Sequence, residues 1–335
     1  MFREAGEAAG AVRAQLERNR AAATELGAAL RALAPRAVVT CARGSSDHAA
    51  TYAKYLVETR LGVLTASAAP SVASVYNAPQ ELRDCLFVAI SQSGGSPDVL
   101  AAAQAADRAG AVVVALVNDE SSPLARAARY CLPLCAGTEE SVAATKTYIA
   151  SLAAIAHLVA AWSDDARLLQ ALSTAPAALE RAWALPWDAA VERLREKSHL
   201  FVLARGVGLG AAQEAALKCK ETCGLHAESV SAAEVRHGPQ ALLEGSFPAL
   251  VLAQDDEARP GLQAFARELA DRGVEVLAAG IEVPGATILP TLEAHPAIQP
   301  LLLVQSFYRL ANALAIARGH DPDRPPHLRK VTRTT

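Results

Sequence analysis

Leu86-Phe87-Val88-Ala89-Ile90-Ser91-Gln92-Ser93-Gly94-Gly95-Ser96-Pro97-Asp98 is the stretch that decides the fold. Five apolar residues make a strand with no polar face. Six small or polar residues make a turn. Pro97 and Asp98 then open a helix that runs to about Gly110, because proline suits the first helical turn and an acid suits the positive end of the helix dipole. A strand buried on both faces, followed by a turn and a helix, is the unit of a parallel sheet covered by helices on each side.

The unit recurs. Ala37-Val38-Val39-Thr40-Cys41-Ala42 predicts a strand, Arg43-Gly44-Ser45-Ser46-Asp47 a turn, and about His48 to Arg60 a helix. Ala111 to Val117, Tyr130 to Leu134 and a long helix over Ala143–Ala161 continue the pattern. Residues 1–35 read as helix up to Pro35, and Trp162 to about Lys197 as a charged helical connector. Then the chain begins again: His199-Leu-Phe-Val-Leu-Ala-Arg-Gly206 resembles Ala37-Val-Val-Thr-Cys-Ala-Arg-Gly44, and both lead into alanine-rich helix. Ala249–Ala253 and Val274–Ala278 read as later strands, and Leu301–Arg318 as a helix. A duplicated α/β domain accounts for this order.

Composition narrows the function classes. Hydrophobic residues are 52% of the chain, aromatics 4%, and the net charge is −3, so nothing points to nucleic acid as a partner. The six cysteines form no paired CxxC spacing and read as small buried hydrophobes of a reducing cytoplasm. The first residues have no apolar signal core, and the apolar stretches read as too interrupted to span a membrane.

Three places can carry chemistry. In the first, Ser91, Ser93 and Ser96 offer hydroxyls, Gln92 an amide, and Gly94 and Gly95 close backbone approach, all at the carboxyl end of a strand and the start of a helix. Such a place favours an anion. It is not a Walker loop, since the Gly-Lys-Ser/Thr ending is missing. The bland reading is an ordinary serine-capped turn. In the second, Lys218 and Glu221 share a helix face, with Glu228, Glu234, Arg236 and His237-Gly238-Pro239 beyond. An exposed ion pair and a helix-ending histidine are the ordinary readings there. The third is the tail from His320, by default a solvated basic end. The counterpart of the first loop in the second half is Ala253-Gln-Asp-Asp-Glu-Ala-Arg259, whose acids repel phosphate. Gly206-Val-Gly208-Leu-Gly210 only faintly matches a dinucleotide fingerprint.

In order along the chain, Arg-Gly-Ser-Ser-Asp-His (43–48), Ser-Gln-Ser-Gly-Gly-Ser-Pro-Asp (91–98), Ser-Val-Ala-Ala-Thr-Lys (141–146), Lys-Cys-Lys-Glu (218–221), His-Ala-Glu (226–228), Glu-Val-Arg-His-Gly-Pro (234–239) and Leu-Arg-Lys-Val-Thr (328–332) resemble the double-SIS (sugar isomerase) family. The resemblance covers nearly the whole chain and is nearest to the isomerase half of glucosamine-6-phosphate synthase and to the SIS-type glucosamine-6-phosphate deaminases. It implies two tandem SIS domains, each a three-layer α/β/α sandwich: residues 36–162 and 198–320. Residues 1–35 and 163–197 would be helical additions, and 321–335 a tail closing the active site.

By the same resemblance a sugar phosphate would be held by Ser46, Ser91, Gln92, Ser93 and Ser96, with Gly44, Ser45 and the backbone of Val142 and Ala144 nearby. Glu221 would move a proton between C1 and C2, assisted by Lys218. His237 would open the sugar ring from the neighbouring subunit of a homodimer, and Lys330 would lie beside the open chain. Neither a metal nor another cofactor is implied. The synthase's glutaminase domain has no counterpart before Met1-Phe2, which favours ammonia release over ammonia delivery. Ser96 stands where the synthase has threonine, Gly95 where it has an acid, and Arg329 where it has a small residue. The expected reaction is deamination of glucosamine 6-phosphate to fructose 6-phosphate and ammonia. A galactosamine-6-phosphate deaminase, a fructosamine-phosphate deglycase, a plain aldose–ketose isomerase, a non-catalytic sugar-phosphate-binding regulator and an idle subunit are the alternatives.

Overall fold

The computed structural model describes residues 1–245 and 247–330. Among the described residues, ten strands form two sheets. The first holds β1 (Ala37–Cys41), β2 (Thr65–Ser67), β3 (Cys85–Ser91), β4 (Val112–Val117) and β5 (Tyr130–Pro133) in the order β2-β1-β3-β4-β5. The second holds β6 (His199–Ala204), β7 (His226–Ser231), β8 (Ala249–Leu252), β9 (Val276–Ala279) and β10 (Thr287–Leu289) in the order β10-β9-β8-β6-β7. Every pairing is parallel. Numbered within its own half, each sheet reads 2-1-3-4-5, so the two halves share one topology. In that order the chain reverses direction across the sheet between the first and third strands, and the crevice at their carboxyl ends is where ligands bind in open α/β sheets.

The central strands are the ones that hydrophobicity announces. All seven residues of β3 and all four of β8 and of β9 are buried. Phe87, Val113, Val117 and Leu124 anchor one core, and Phe201, Val251, Phe265 and Leu269 another. The sequence pattern does not show β2, β7 and β10. All three are edge strands, and His226-Ala-Glu-Ser-Val-Ser231 needs no apolar face to pair on one side. The Arg259–Asp271 helix is also new; it buries Leu262, Phe265, Ala266 and Leu269 at helical spacing.

Two compact units result. One comprises residues Ala8–Glu139 and Lys146–Pro176 with Arg329 and Lys330; the other comprises Met1–Glu7, Glu140–Thr145 and Ala177–Leu328. The N-terminal helical region accordingly divides into Phe2–Gly6 and Ala8–Leu33. In the first unit the Ala8–Leu33 helix is tied down by buried amides: Gln15 donates to the carbonyls of Leu134 and Ala150, and Asn19 to that of Pro133. In the second, Arg318 at the end of the Gln299–Ala317 helix donates to the carbonyls of Cys223, Arg195 and Lys197. That Gln299–Ala317 helix is, against the sequence reading, long and apolar enough to cross a membrane; most of it is buried inside its own unit, as a core helix is.

Candidate active site

At the crevice of the first sheet, two turns converge from β1 and β3, which pair side by side in register. The helix after β1 starts at Ser45, three residues before the expected His48, so Ser45 and Ser46 occupy its first turn behind Gly44. The helix after β3 starts at Pro97, with Ser96 as the residue before it. Ser96 makes no side-chain cap, so the ordinary capping account of this serine does not hold. Ser91 and Ser93 accept the backbone N–H groups of Gly94 (3.1 Å) and Gly95 (3.2 Å), which folds the loop on itself. A hydroxyl that accepts in this way still has its proton to donate.

The two glycines are not equivalent. Gly94 has φ +57°, and a β-carbon there would lie 2.1 Å from Ser122 Oγ. Gly95 is exposed and meets nothing close. Only Gly94 is demanded by the fold of the loop.

Gly44, Ser45, Ser46 and the residues Ser91, Gln92, Ser93 and Ser96 therefore stand at the ends of adjacent strands, as the sequence implied. Arg43 joins them, which the sequence did not suggest. Its Nε (2.8 Å) and Nη2 (2.7 Å) both reach Oδ2 of Asp98, a carboxylate with no solvent exposure. Cys41, beside this turn, is no nucleophile: burial, with Asp98 next, pushes its thiol up to about 12. Lys330 also belongs to this unit, with Nζ 3.6 Å from Glu139 Oε2. Glu139 in turn accepts the Thr147 hydroxyl at 2.8 Å. Val331 and Thr332, the last two residues of the 328–332 motif, and the rest of the tail lie outside the described residues.

In the other unit, the Leu209–Cys223 helix carries a charge cluster. Lys218 is fully buried rather than exposed on a surface. Its Nζ lies 3.2 Å from Glu214 Oε1 and 2.5 Å from Glu221 Oε2. Glu214 also accepts the Tyr308 hydroxyl at 2.9 Å. Burial alone would lower the Lys218 pKa; the charges of Glu214 and then Glu221 outweigh it, and the net shift is upward, so the ammonium persists. Glu221 keeps 22% of its side chain open. Glu214, four residues before Lys218, was legible from helical spacing; Tyr308, 94 positions away from it, was not.

Val142 and Ala144 lie in this same unit on a non-helical loop. The helix expected from Ala143 begins instead at Lys146. The cause is local: the backbone N–H groups of Glu140 and Ser141 donate to the buried Glu4 carboxylate, and that of Val142 to the Asp323 carbonyl, so the chain cannot coil there. A cleft of about 830 Å³ adjoins, lined by Arg3, Glu4, Ser141, Val142, Asp323 and Arg324 among others. His237 is exposed in the turn after the Ala232–Val235 helix, and Glu228 is exposed on edge strand β7.

The SIS domain family matches residues 34–161 and again 193–281. The chain belongs to the SIS domain family. The two matches fall on the two sheets, as a duplication requires. This SIS protein is 32% identical over 308 residues to glutamine–fructose-6-phosphate aminotransferase (isomerizing) of Sulfurisphaera tokodaii, covering 88% of this chain and 49% of that one. The Aeropyrum pernix enzyme of the same name is 35% identical, with 86% and 49% covered. The SIS protein thus spans about half the length of these curated relatives. Among solved structures, the C-terminal domain of glucosamine-fructose-6-phosphate aminotransferase from Francisella tularensis superposes with a TM-score of 0.86 at 25% identity, covering 96% of this chain and 97% of that one. A Silicibacter pomeroyi DSS-3 protein, provisionally assigned as a phosphosugar isomerase, superposes with a TM-score of 0.93 at 43% identity, covering 96% and 99%.

Proposed function

We propose that this SIS protein is an isomerising deaminase that converts glucosamine 6-phosphate to fructose 6-phosphate and ammonia. The observation that carries the reading is the Glu214–Lys218–Glu221 cluster. A partly open carboxylate is fixed at one oxygen by an ammonium that cannot leave, because a second, fully buried carboxylate holds it from behind. Such a carboxylate is suited to carry a proton a short distance and give it back. The relatives, whose names include fructose 6-phosphate and glucosamine, support a sugar phosphate of this type.

In this reading the phosphate is taken by Ser91, Gln92, Ser93 and Ser96 together with Gly44, Ser45 and Ser46, and the Val142 and Ala144 backbone meets the sugar. His237, contributed by the neighbouring subunit of a homodimer, opens the ring, since an imidazole can both take and give a proton. Glu221 takes the C2 proton of the open-chain sugar, giving an enolamine. It returns a proton to C1, leaving an imine at C2. Water adds to that imine, and ammonia departs as the C2 carbonyl forms. Lys218 offsets the negative charge that develops during the transfer, and Lys330 lies beside the open chain.

The test is ammonia release from glucosamine 6-phosphate, with galactosamine 6-phosphate and fructosamine 6-phosphate in parallel and Glu221→Gln as control. Release from glucosamine 6-phosphate that disappears in E221Q, with sugar-phosphate binding retained, supports both reaction and base. Turnover surviving in E221Q refutes the base; binding without release from any of the three favours a plain isomerase or a binding regulator.

A further inference from the structure

We infer that Arg43 and Asp98 form a charge-compensated clamp across the phosphate subsite, with Arg43 the positioning residue that lets this helix start accept a phosphate. The inference rests on the reading of Ser91–Ser96 as a phosphate loop and concerns how that loop is made to work.

Asp98 lies in the first turn of the Pro97–Arg108 helix, the place where the helix dipole would otherwise serve a bound anion. Its side chain is wholly buried, and its Oδ1 accepts the Val99 N–H at 2.9 Å. The helix start therefore already contains an anion of its own. A phosphate arriving at Ser91–Ser96 would meet that negative charge in a poorly screened setting, and like charges placed so repel.

Arg43 removes the conflict. It is the residue just before Gly44-Ser45-Ser46, and its guanidinium crosses from the β1 turn to the β3 helix to bind Asp98 Oδ2 through two nitrogens. The half-exposed guanidinium thereby does two things. It neutralises the buried carboxylate, and it fixes the spacing of the two serine-bearing turns. A planar, always-charged fork suits both tasks where a lysine would suit only the first.

Binding of inorganic phosphate and of glucose 6-phosphate, measured by calorimetry on the full chain, tests this without relying on any reaction. Variants are R43M, D98N, R43M/D98N and, for the loop itself, S93A, with thermal unfolding to confirm folding. R43M is expected to weaken both ligands about ten- to hundredfold, since it takes the guanidinium away from Asp98. D98N should bind at least as well as wild type. R43M/D98N should recover to within about threefold of D98N, because a neutral pair no longer repels phosphate. A purely structural Arg43 would give no such rescue. If R43M/D98N binds as weakly as R43M, or R43M binds normally while S93A does not, the clamp is wrong and the loop stands. If S93A and R43M both bind normally, the phosphate loop itself is wrong.

Discussion

After β3 the chain turns through Ser91–Ser96 and leaves hydroxyls and backbone at the end of the first sheet. After β8, the same topological position in the second sheet, it turns through Gln254–Arg259 and fills its own crevice. Gln254 is buried, and its amide donates to the Arg205 carbonyl and to Asp256 Oδ2, both at 2.8 Å. A β-carbon on Gly208 would come within 2.3 Å of Gln254 Oε1. Both halves keep Ala-Arg-Gly after their first strand. In the first, the Arg43 side chain reaches a buried acid across the crevice; in the second, the Arg205 carbonyl receives a plugging glutamine. The same fold can thus either offer its switch point to a ligand or satisfy it internally, and the choice lies in a few loop side chains. The second half instead invests its helix after β6 with the Lys218 cluster, for which the Ser45–Leu61 helix after β1 has no equivalent in sequence.

The largest effect on activity expected from this contrast is at Gly94. In G94A the left-handed backbone costs about 1–2 kcal/mol, and the new methyl overlaps Ser122, so the loop must move. A displacement of about 1 Å lowers activity on the order of a hundredfold, read as sugar-phosphate turnover alongside phosphate binding. Normal activity in G94A would break the claim that this crevice is the working one.

Next comes Lys218. K218M leaves Glu214 and Glu221 without their cation and should lose about 3–5 kcal/mol in denaturant unfolding, with E214Q recovering part of it in the double variant. Because the neighbouring carboxylates hold Lys218 above its usual 10.5, its contribution is fully present below that pH and is lost only as pH rises through the higher folded value. The stability gap between wild type and K218M/E214Q should therefore stay level from neutrality to about pH 10 and narrow above it. A gap that already narrows between about pH 7 and pH 9 would contradict the ammonium assignment.

The smallest effect belongs to Gly208. Its φ of −75° is ordinary, so G208A asks only that the end of Gln254 shift, at about 1–2 kcal/mol. Phosphate affinity should not change. A loss there would mean that the second crevice also serves the ligand.

The residues themselves announced most of this molecule. Buried runs such as Leu86–Ile90 specify central strands, glycine- and serine-rich turns after them mark the crevice, and the repeated Ala-Arg-Gly exposes the duplication. The edge strands β2, β7 and β10 escaped because pairing on one side requires no apolar pattern. Lys218 and Glu221 were readable as helical neighbours, yet whether they lay in solvent or in the core was not. That was decided by Tyr308 and Glu214, and burial converts a weak surface pair into a fixed ammonium. Likewise the sequence determined a serine-rich turn at a helix start. Only the tertiary structure decided that Arg43 reaches Asp98 and that Gln254 closes the second crevice, since each depends on which strands lie side by side, and local sequence carries no record of that.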